Sequence, residues 1–97
     1  MLCLDECKAK LVSFKHCFGH EVGIKSIGIF GSVARQENRE DSDLDIVVDI
    51  DNPTLSTMYT LKTVLTDMFH CEIDLVRFRS SLPPFLKQNI EKEAIYV

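Results

Sequence analysis

One stretch of the sequence, residues 27–50, constrains the fold more than any other. It contains a short apolar run that ends at Gly31-Ser32, a polar segment, and a second apolar run that begins around Asp43 and Asp45. The first run is short, contains β-branched residues and is bounded by glycine, so it predicts a buried strand rather than a helix. The second run predicts another strand. The ten residues between Ser32 and Asp43 leave room for a short helix and a return loop.

The break between the two runs has the residue types of a phosphate-binding turn. Gly31 permits a tight turn and lets the backbone approach a ligand closely. Ser32 is predicted to cap a short helix over residues 33–37. Free amide groups at a helix N-terminus bind phosphate oxygens, so Gly31 and Ser32 are candidate phosphate-binding residues. Arg35 could reach a phosphate or pair with a nearby carboxylate, and the residues alone leave both possibilities open.

Acidic residues occupy alternate positions of the second run. Alternation in a strand places Asp43, Asp45, Val47 and Asp49 on one face, and the other face carries Leu44, Ile46, Val48 and Ile50. Two like charges held together cost free energy unless a cation neutralises them. Oxygen ligands beside a phosphate favour Mg²⁺, and two ions roughly 3.5–4 Å apart are the usual arrangement for phosphoryl chemistry. Asp43 and Asp45 are therefore candidate ligands of two Mg²⁺ ions.

A third carboxylate lies in a later apolar run, residues 71–76. Asp74 interrupts that run, and a buried carboxylate without a partner is costly. From the residues alone, Asp74 is either a third member of the acidic site or an exposed-face residue like Glu72.

The rest of the chain supplies helices and one more strand. Apolar residues at helical spacing predict a helix at the N-terminus, a second with Asn52 as N-cap and a third with Ser81 as N-cap, and residues 94–97 predict an edge strand. The resulting order, α-β-α-β-α-β-α-β, predicts an α/β fold whose helices lie on one face of the sheet, with the aspartates on the other face. Residues 1–97 are expected to form a single domain.

Composition and charge narrow the functional classes. With 45% hydrophobic residues, 27% charged residues and a net charge of −4, the chain is typical of a globular protein and unlike a general nucleic-acid binder. The four cysteines include no Cys-x-x-Cys pair, and no apolar stretch approaches the roughly 20 residues that span a membrane. A cytoplasmic location with reduced cysteines is therefore expected.

The combined pattern resembles a known family. Gly31-Ser32, ten intervening residues and Asp43-x-Asp45 are similar to the motif of the DNA polymerase-β-like nucleotidyltransferase superfamily. The surrounding residues resemble its small prokaryotic branch, the minimal nucleotidyltransferases, over nearly the whole chain. Gln36 is a departure, because many relatives have glycine at that position. The resemblance implies a mixed β-sheet core.

The resemblance also implies a function. Members of this branch are commonly antitoxins that transfer AMP from ATP, with release of pyrophosphate, to a tyrosine of a HEPN ribonuclease toxin. By this likeness the catalytic and metal-binding residues are Asp43, Asp45 and Asp74, and the nucleotide-binding residues are Gly31, Ser32 and Arg35. The implied partner is a helical HEPN toxin in a hetero-oligomer, without direct contact to nucleic acid or membrane, and Arg77 or Arg79 could contact it. Two alternatives stay open: a non-catalytic antitoxin that masks its partner, and a small-molecule nucleotidyltransferase of the aminoglycoside-modifying type.

Overall fold

The computed structural model describes residues 2–97, in which helices and strands alternate as predicted. The elements are α1 (Leu4–Val22), β1 (Ile24–Phe30), α2 (Gly31–Ala34), β2 (Leu44–Ile50), α3 (Leu55–Phe69), β3 (Ile73–Arg77), α4 (Pro84–Glu93) and β4 (Ile95–Tyr96). None of these helices is both long enough and apolar enough to cross a bilayer. The four cysteines are free thiols, as predicted, and Cys7 is buried in the core.

The four strands form one mixed sheet in the order β3-β2-β1-β4. β1 pairs antiparallel with both β2 and β4, whereas β2 pairs parallel with β3. Parallel neighbours need a long crossover connection, and α3 supplies it between β2 and β3. The prediction of an α/β fold with a mixed sheet is confirmed.

One face of the sheet packs against α1 and α3. Alternate residues of β2 point toward these two helices and are buried with their inward-facing side chains. The main members of this cluster are Leu11, Phe14, Leu44, Ile46, Val48, Leu61 and Leu65. A side-chain period of two means that burying these residues also fixes which side chains of β2 lie on the opposite face.

The helix α4 packs on that opposite face, so the prediction that all helices lie on one face is wrong in this detail. Val47, which alternates with the core residues of β2, packs in a second cluster with Phe30, Leu82 and Ile90. The physical reason is that this face carries apolar residues as well as carboxylates, and the apolar part must be covered. Asp45 therefore shares its face of the sheet with a small hydrophobic core.

Two helices begin at different residues from those predicted. Thr54, rather than Asn52, is the N-cap of α3, and its Oγ1 accepts a 3.0 Å hydrogen bond from the amide of Thr57. Asn52 has a φ of 48° and lies in the turn before the cap. Pro83, rather than Ser81, precedes α4. All four residue types are common at helix starts, so the local sequence did not decide between them.

Candidate active site

Gly31 brings the turn between β1 and α2 against β2. Phe30, the last residue of β1, is the register partner of Asp45 in the antiparallel pair. Gly31 has a φ of +75°, and a Cβ added there would overlap the Asp45 carboxylate, with Asp45 Cγ only 2.9 Å away. Glycine is therefore required both by the backbone conformation and by the space.

Ser32 lies in the first turn of α2 and is not its cap. The N-cap is Phe30, because the helix starts directly at Gly31 as β1 ends. The carbonyl of Ser32 accepts a 2.8 Å hydrogen bond from the amide of Glu37, which closes the turn after α2. Gln36 in that turn has a φ of 59°. Glycine adopts this left-handed conformation at less cost than glutamine, in line with the glycine that the family resemblance implies at this position.

Three aspartates converge where β2 and β3 begin. Asp45 and Asp74 are register partners on the two parallel strands, so they lie side by side on one face, on strands about 4.8 Å apart. Asp43 directly precedes β2 and is two residues from Asp45, close enough for its charge to raise the pKa of Asp45. Asp45 is half-buried, whereas Asp43 and Asp74 are exposed. The structure thus brings together all three carboxylates that the sequence selected.

The electrostatics of the group centre on Asp45. The pKa of Asp45 is raised to about 6, first by burial and then by the neighbouring carboxylates of Asp74 and Asp43, while Arg35 acts in the opposite direction. A raised pKa is the expected result when like charges are held together in a partly desolvated place. A cation bound between these carboxylates would relieve the repulsion.

The chemistry of this donor set fits Mg²⁺ that arrives with a nucleotide. Residues 2–97 contain no group of three or more His, Cys, Asp or Glu side chains arranged to hold a metal by themselves. Mg²⁺, however, usually binds through one or two carboxylates and completes its shell with water and phosphate oxygens. The adjacent carboxylates of Asp45 and Asp74 match that mode, because they offer hard oxygen donors and a surplus of negative charge.

Arg35 pairs with carboxylates in this structure. Its Nε lies 3.1 Å from Glu37 Oε2, and its Nη1 lies 2.9 Å from Glu93 Oε2 on α4. The sequence left open whether Arg35 contacts a phosphate or pairs with a carboxylate. The structure shows the pairing with carboxylates, and contact with a phosphate stays a prediction. No sequence pattern indicates this role of Glu93, which is 58 positions from Arg35 and contacts it because α4 packs on this face of the sheet.

The comparisons with known proteins agree with this geometry. The family described as "Polymerase beta, Nucleotidyltransferase" matches residues 13–97. The protein adenylyltransferase MntA of Thermococcus cleftensis is 36% identical over 98 residues, which cover 100% of this chain and 98% of that protein. The chain therefore belongs to the polymerase beta nucleotidyltransferase family. The prediction that it is a nucleotidyltransferase is confirmed.

Solved structures share the same fold. One, described as a candidate minimal nucleotidyltransferase, is 34% identical with a TM-score of 0.77, and the match covers 97% of this chain and 95% of that one. The resemblance to the minimal nucleotidyltransferase branch is thereby confirmed. Another is a complex described as tri-AMPylated Shewanella oneidensis HEPN toxin with MNT antitoxin; it matches with a TM-score of 0.68 at 20% identity, over 96% of this chain and 70% of that one.

Proposed function

We propose that this chain transfers AMP from ATP to a tyrosine hydroxyl of a HEPN-type toxin and acts as the antitoxin of that protein. The observation that carries the proposal is the pairing of Asp45 with Asp74 directly beside the Gly31 turn. The names of the relatives support it, because one is a protein adenylyltransferase and the structural neighbour from Shewanella oneidensis holds an AMPylated HEPN toxin. A hetero-oligomer with the toxin, a single domain over residues 1–97 and a cytoplasmic location belong to the same proposal.

In the proposed reaction, the Gly31 turn and Ser32 hold the β- and γ-phosphates of ATP. The missing side chain at Gly31 lets the turn lie directly against the Asp45 carboxylate, so phosphates held by the turn would lie beside the carboxylates that hold the metal ions. Asp43, Asp45 and Asp74 would hold two Mg²⁺ ions, which supply charge neutralisation to the triphosphate when bound. Most of the rate acceleration in such transfers comes from positioning and electrostatic stabilisation, which these residues can provide.

Asp74 has the additional role of proton acceptor. The tyrosine hydroxyl attacks the α-phosphorus of ATP, a new oxygen–phosphorus bond forms, and the bond to pyrophosphate breaks, so pyrophosphate leaves with the electron pair. Asp74 is exposed beside the half-buried Asp45, so an acceptor hydroxyl can reach it from solvent. Its carboxylate would take the hydroxyl proton as the bond forms.

The test is a transfer assay with ATP labelled at the α-phosphate, Mg²⁺, and a HEPN-type protein sought among the neighbouring genes. We expect label on a tyrosine of that protein, and none when Asp45→Asn replaces the wild type. Binding of the HEPN-type protein without label would instead support masking. Label on an added aminoglycoside alone would support a small-molecule transferase.

A further inference from the structure

An apolar groove runs along the free edge of β3. This strand is the last in the sheet order and pairs with β2 on one side only. The groove has a volume of about 530 Å³ and lies between the start of α3 and the start of α4; its apolar lining includes Leu55, Met58, Leu75, Val76, Leu82 and Leu86. An open sheet edge with an apolar lining is a surface that proteins normally cover.

Large side chains beside this groove are exposed to solvent. Leu55 in the first turn of α3 is 91% exposed, and Tyr59, one helical turn further on, is 75% exposed. Phe85, in the first turn of α4, is 76% exposed. Exposed apolar side chains grouped on one surface mark sites of protein–protein contact, and tyrosine and arginine are the residues enriched among those that dominate binding.

Two arginines give the groove a positive charge. Arg77 and Arg79 line it, and neither forms an ion pair within residues 2–97. The guanidinium of Arg79 instead donates a 3.1 Å hydrogen bond to the carbonyl of Arg77. Unpaired arginines on a chain with a net charge of −4 make this surface complementary to a segment that carries carboxylates.

The groove begins close to the carboxylate site. β3 carries Asp74, and Val76, which lines the groove, lies two residues later on the same face of the strand. At about 3.3 Å per residue, the two positions are about 7 Å apart. A protein seated in the groove would therefore have side chains within reach of the site.

We propose that this groove is the docking surface for the protein that carries the acceptor hydroxyl, and that it binds an acidic segment with apolar anchors. The inference rests on the proposed function, since it gives that acceptor a binding surface. A second copy of this chain is disfavoured, because a symmetric dimer would bring Arg77 and Arg79 of both copies together. RNA is disfavoured because the neighbouring carboxylates repel phosphates.

The experiment measures binding separately from transfer. The affinity for the HEPN-type protein of the transfer assay is measured without ATP for wild type, Leu55→Asp and Arg79→Glu. Both residues are exposed, so neither change should unfold the chain. We expect each variant to bind at least about tenfold more weakly. The matched controls, Val12→Asp on α1 and Lys92→Glu at the end of α4, are also exposed and should bind like wild type.

Transfer of labelled AMP is measured on the same variants. We expect the KM for the HEPN-type protein to rise about tenfold in Leu55→Asp and kcat to stay within about twofold, because the groove binds and does not react. Unchanged affinity in both groove variants, equal losses in the controls, or no binding by wild type would overturn the docking proposal. If the groove variants bind more weakly but wild type transfers no AMP, the proposed function is wrong and the docking proposal stands. If light scattering shows that Leu55→Asp converts a dimer of the free chain into a monomer, the occupant is a second copy and the proposal is wrong.

Discussion

The two faces of the sheet use the same strand in different ways. Toward α1 and α3, the residues Leu44, Ile46 and Val48 of β2 are fully buried in a continuous apolar core. On the other face, Asp45 is half-buried and alternates with Val47, which packs under α4. One face therefore holds β2 in place, while the other presents carboxylates from that fixed strand.

This difference explains how repulsive carboxylates can be held together. Fully burying one aliphatic side chain stabilises a protein by about 1.5–3 kcal/mol. The cost of keeping Asp45 charged, from its partial burial first and then from the neighbouring carboxylates, is on the order of 1 kcal/mol after screening by solvent. The apolar face can therefore offset the unfavourable arrangement on the carboxylate face. Substitutions on the second face should then affect transfer strongly and stability modestly.

The largest effect is expected from Asp45→Asn. The substitution keeps the size of the side chain but removes the charge that would bind Mg²⁺, so transfer of labelled AMP should fall by about a thousandfold. The matched control is Asp49→Asn, on the same strand and the same face but away from Asp74, which should keep activity within about twofold of wild type. Both variants should unfold cooperatively. Retention of a large part of the activity by Asp45→Asn would contradict the proposed site.

A second prediction compares two glycines. Gly31→Ala places a Cβ at a positive φ and against Asp45, so the free energy of unfolding should fall by about 1–3 kcal/mol. Gly19→Ala, within α1, adds a Cβ at an ordinary 3.5 Å from Lys15 Cγ and should raise the free energy of unfolding by about 0.5–1 kcal/mol. Urea denaturation measures both. Equal effects would show that the Gly31 turn is not held against Asp45.

Local patterns were sufficient to predict the elements of this fold. Strict alternation over β2 identified both its apolar face and its acidic face, because a strand has a period of two. The position of α4 was not predictable, since it depends on the long-range contact of Val47 with Leu82 and Ile90. The sequence did contain one indication of that contact, because Val47 is an apolar residue between Asp45 and Asp49 on the carboxylate face.

The sequence predicted which residues form the candidate site better than it predicted the local structure and contacts of those residues. Asp45 and Asp74 were selected from spacing and family resemblance, and the register of two strands then placed them side by side. Ser32 was wrongly predicted as a cap, because the helix starts two residues earlier than predicted, at Gly31, directly after β1. The pairing of Arg35 with α4 depends on tertiary packing, which local sequence does not encode. The roles of all these residues in nucleotide transfer stay predictions.

A third prediction concerns pH and the carboxylate face. In the absence of Mg²⁺, the folded chain binds a proton at Asp45 with a pKa of about 6, against 3.8 for an ordinary aspartate. The folded state then binds more protons than the unfolded state between these values, so this group lowers stability as pH rises from about 4 to 6. Asp45→Asn should therefore be more stable than wild type by on the order of 1 kcal/mol at pH 7, and by little at pH 4.

The measurement is urea denaturation in EDTA at both values of pH. Asp49→Asn is the control. The difference between its free energy of unfolding and that of wild type should not grow from pH 4 to pH 7. Added Mg²⁺ should stabilise wild type and reduce its difference from Asp45→Asn. If the free energies of unfolding of wild type and Asp45→Asn differ by the same amount at pH 4 and pH 7, the pKa of Asp45 is not raised in the folded chain.

The smallest effect is expected at the ion pair that connects α2 to α4 across the carboxylate face. Glu93→Gln removes the carboxylate that Arg35 contacts at 2.9 Å and should lower Tm by about 2 °C, because exposed ion pairs contribute little. Glu91→Gln, an exposed residue of the same helix without an ion pair in residues 2–97, should change Tm by less. The difference between the two variants should shrink at 1 M NaCl, where charges are screened over about 3 Å. If Glu91→Gln lowers Tm as much as Glu93→Gln, the helix α4 is held on the second face by its apolar cluster alone.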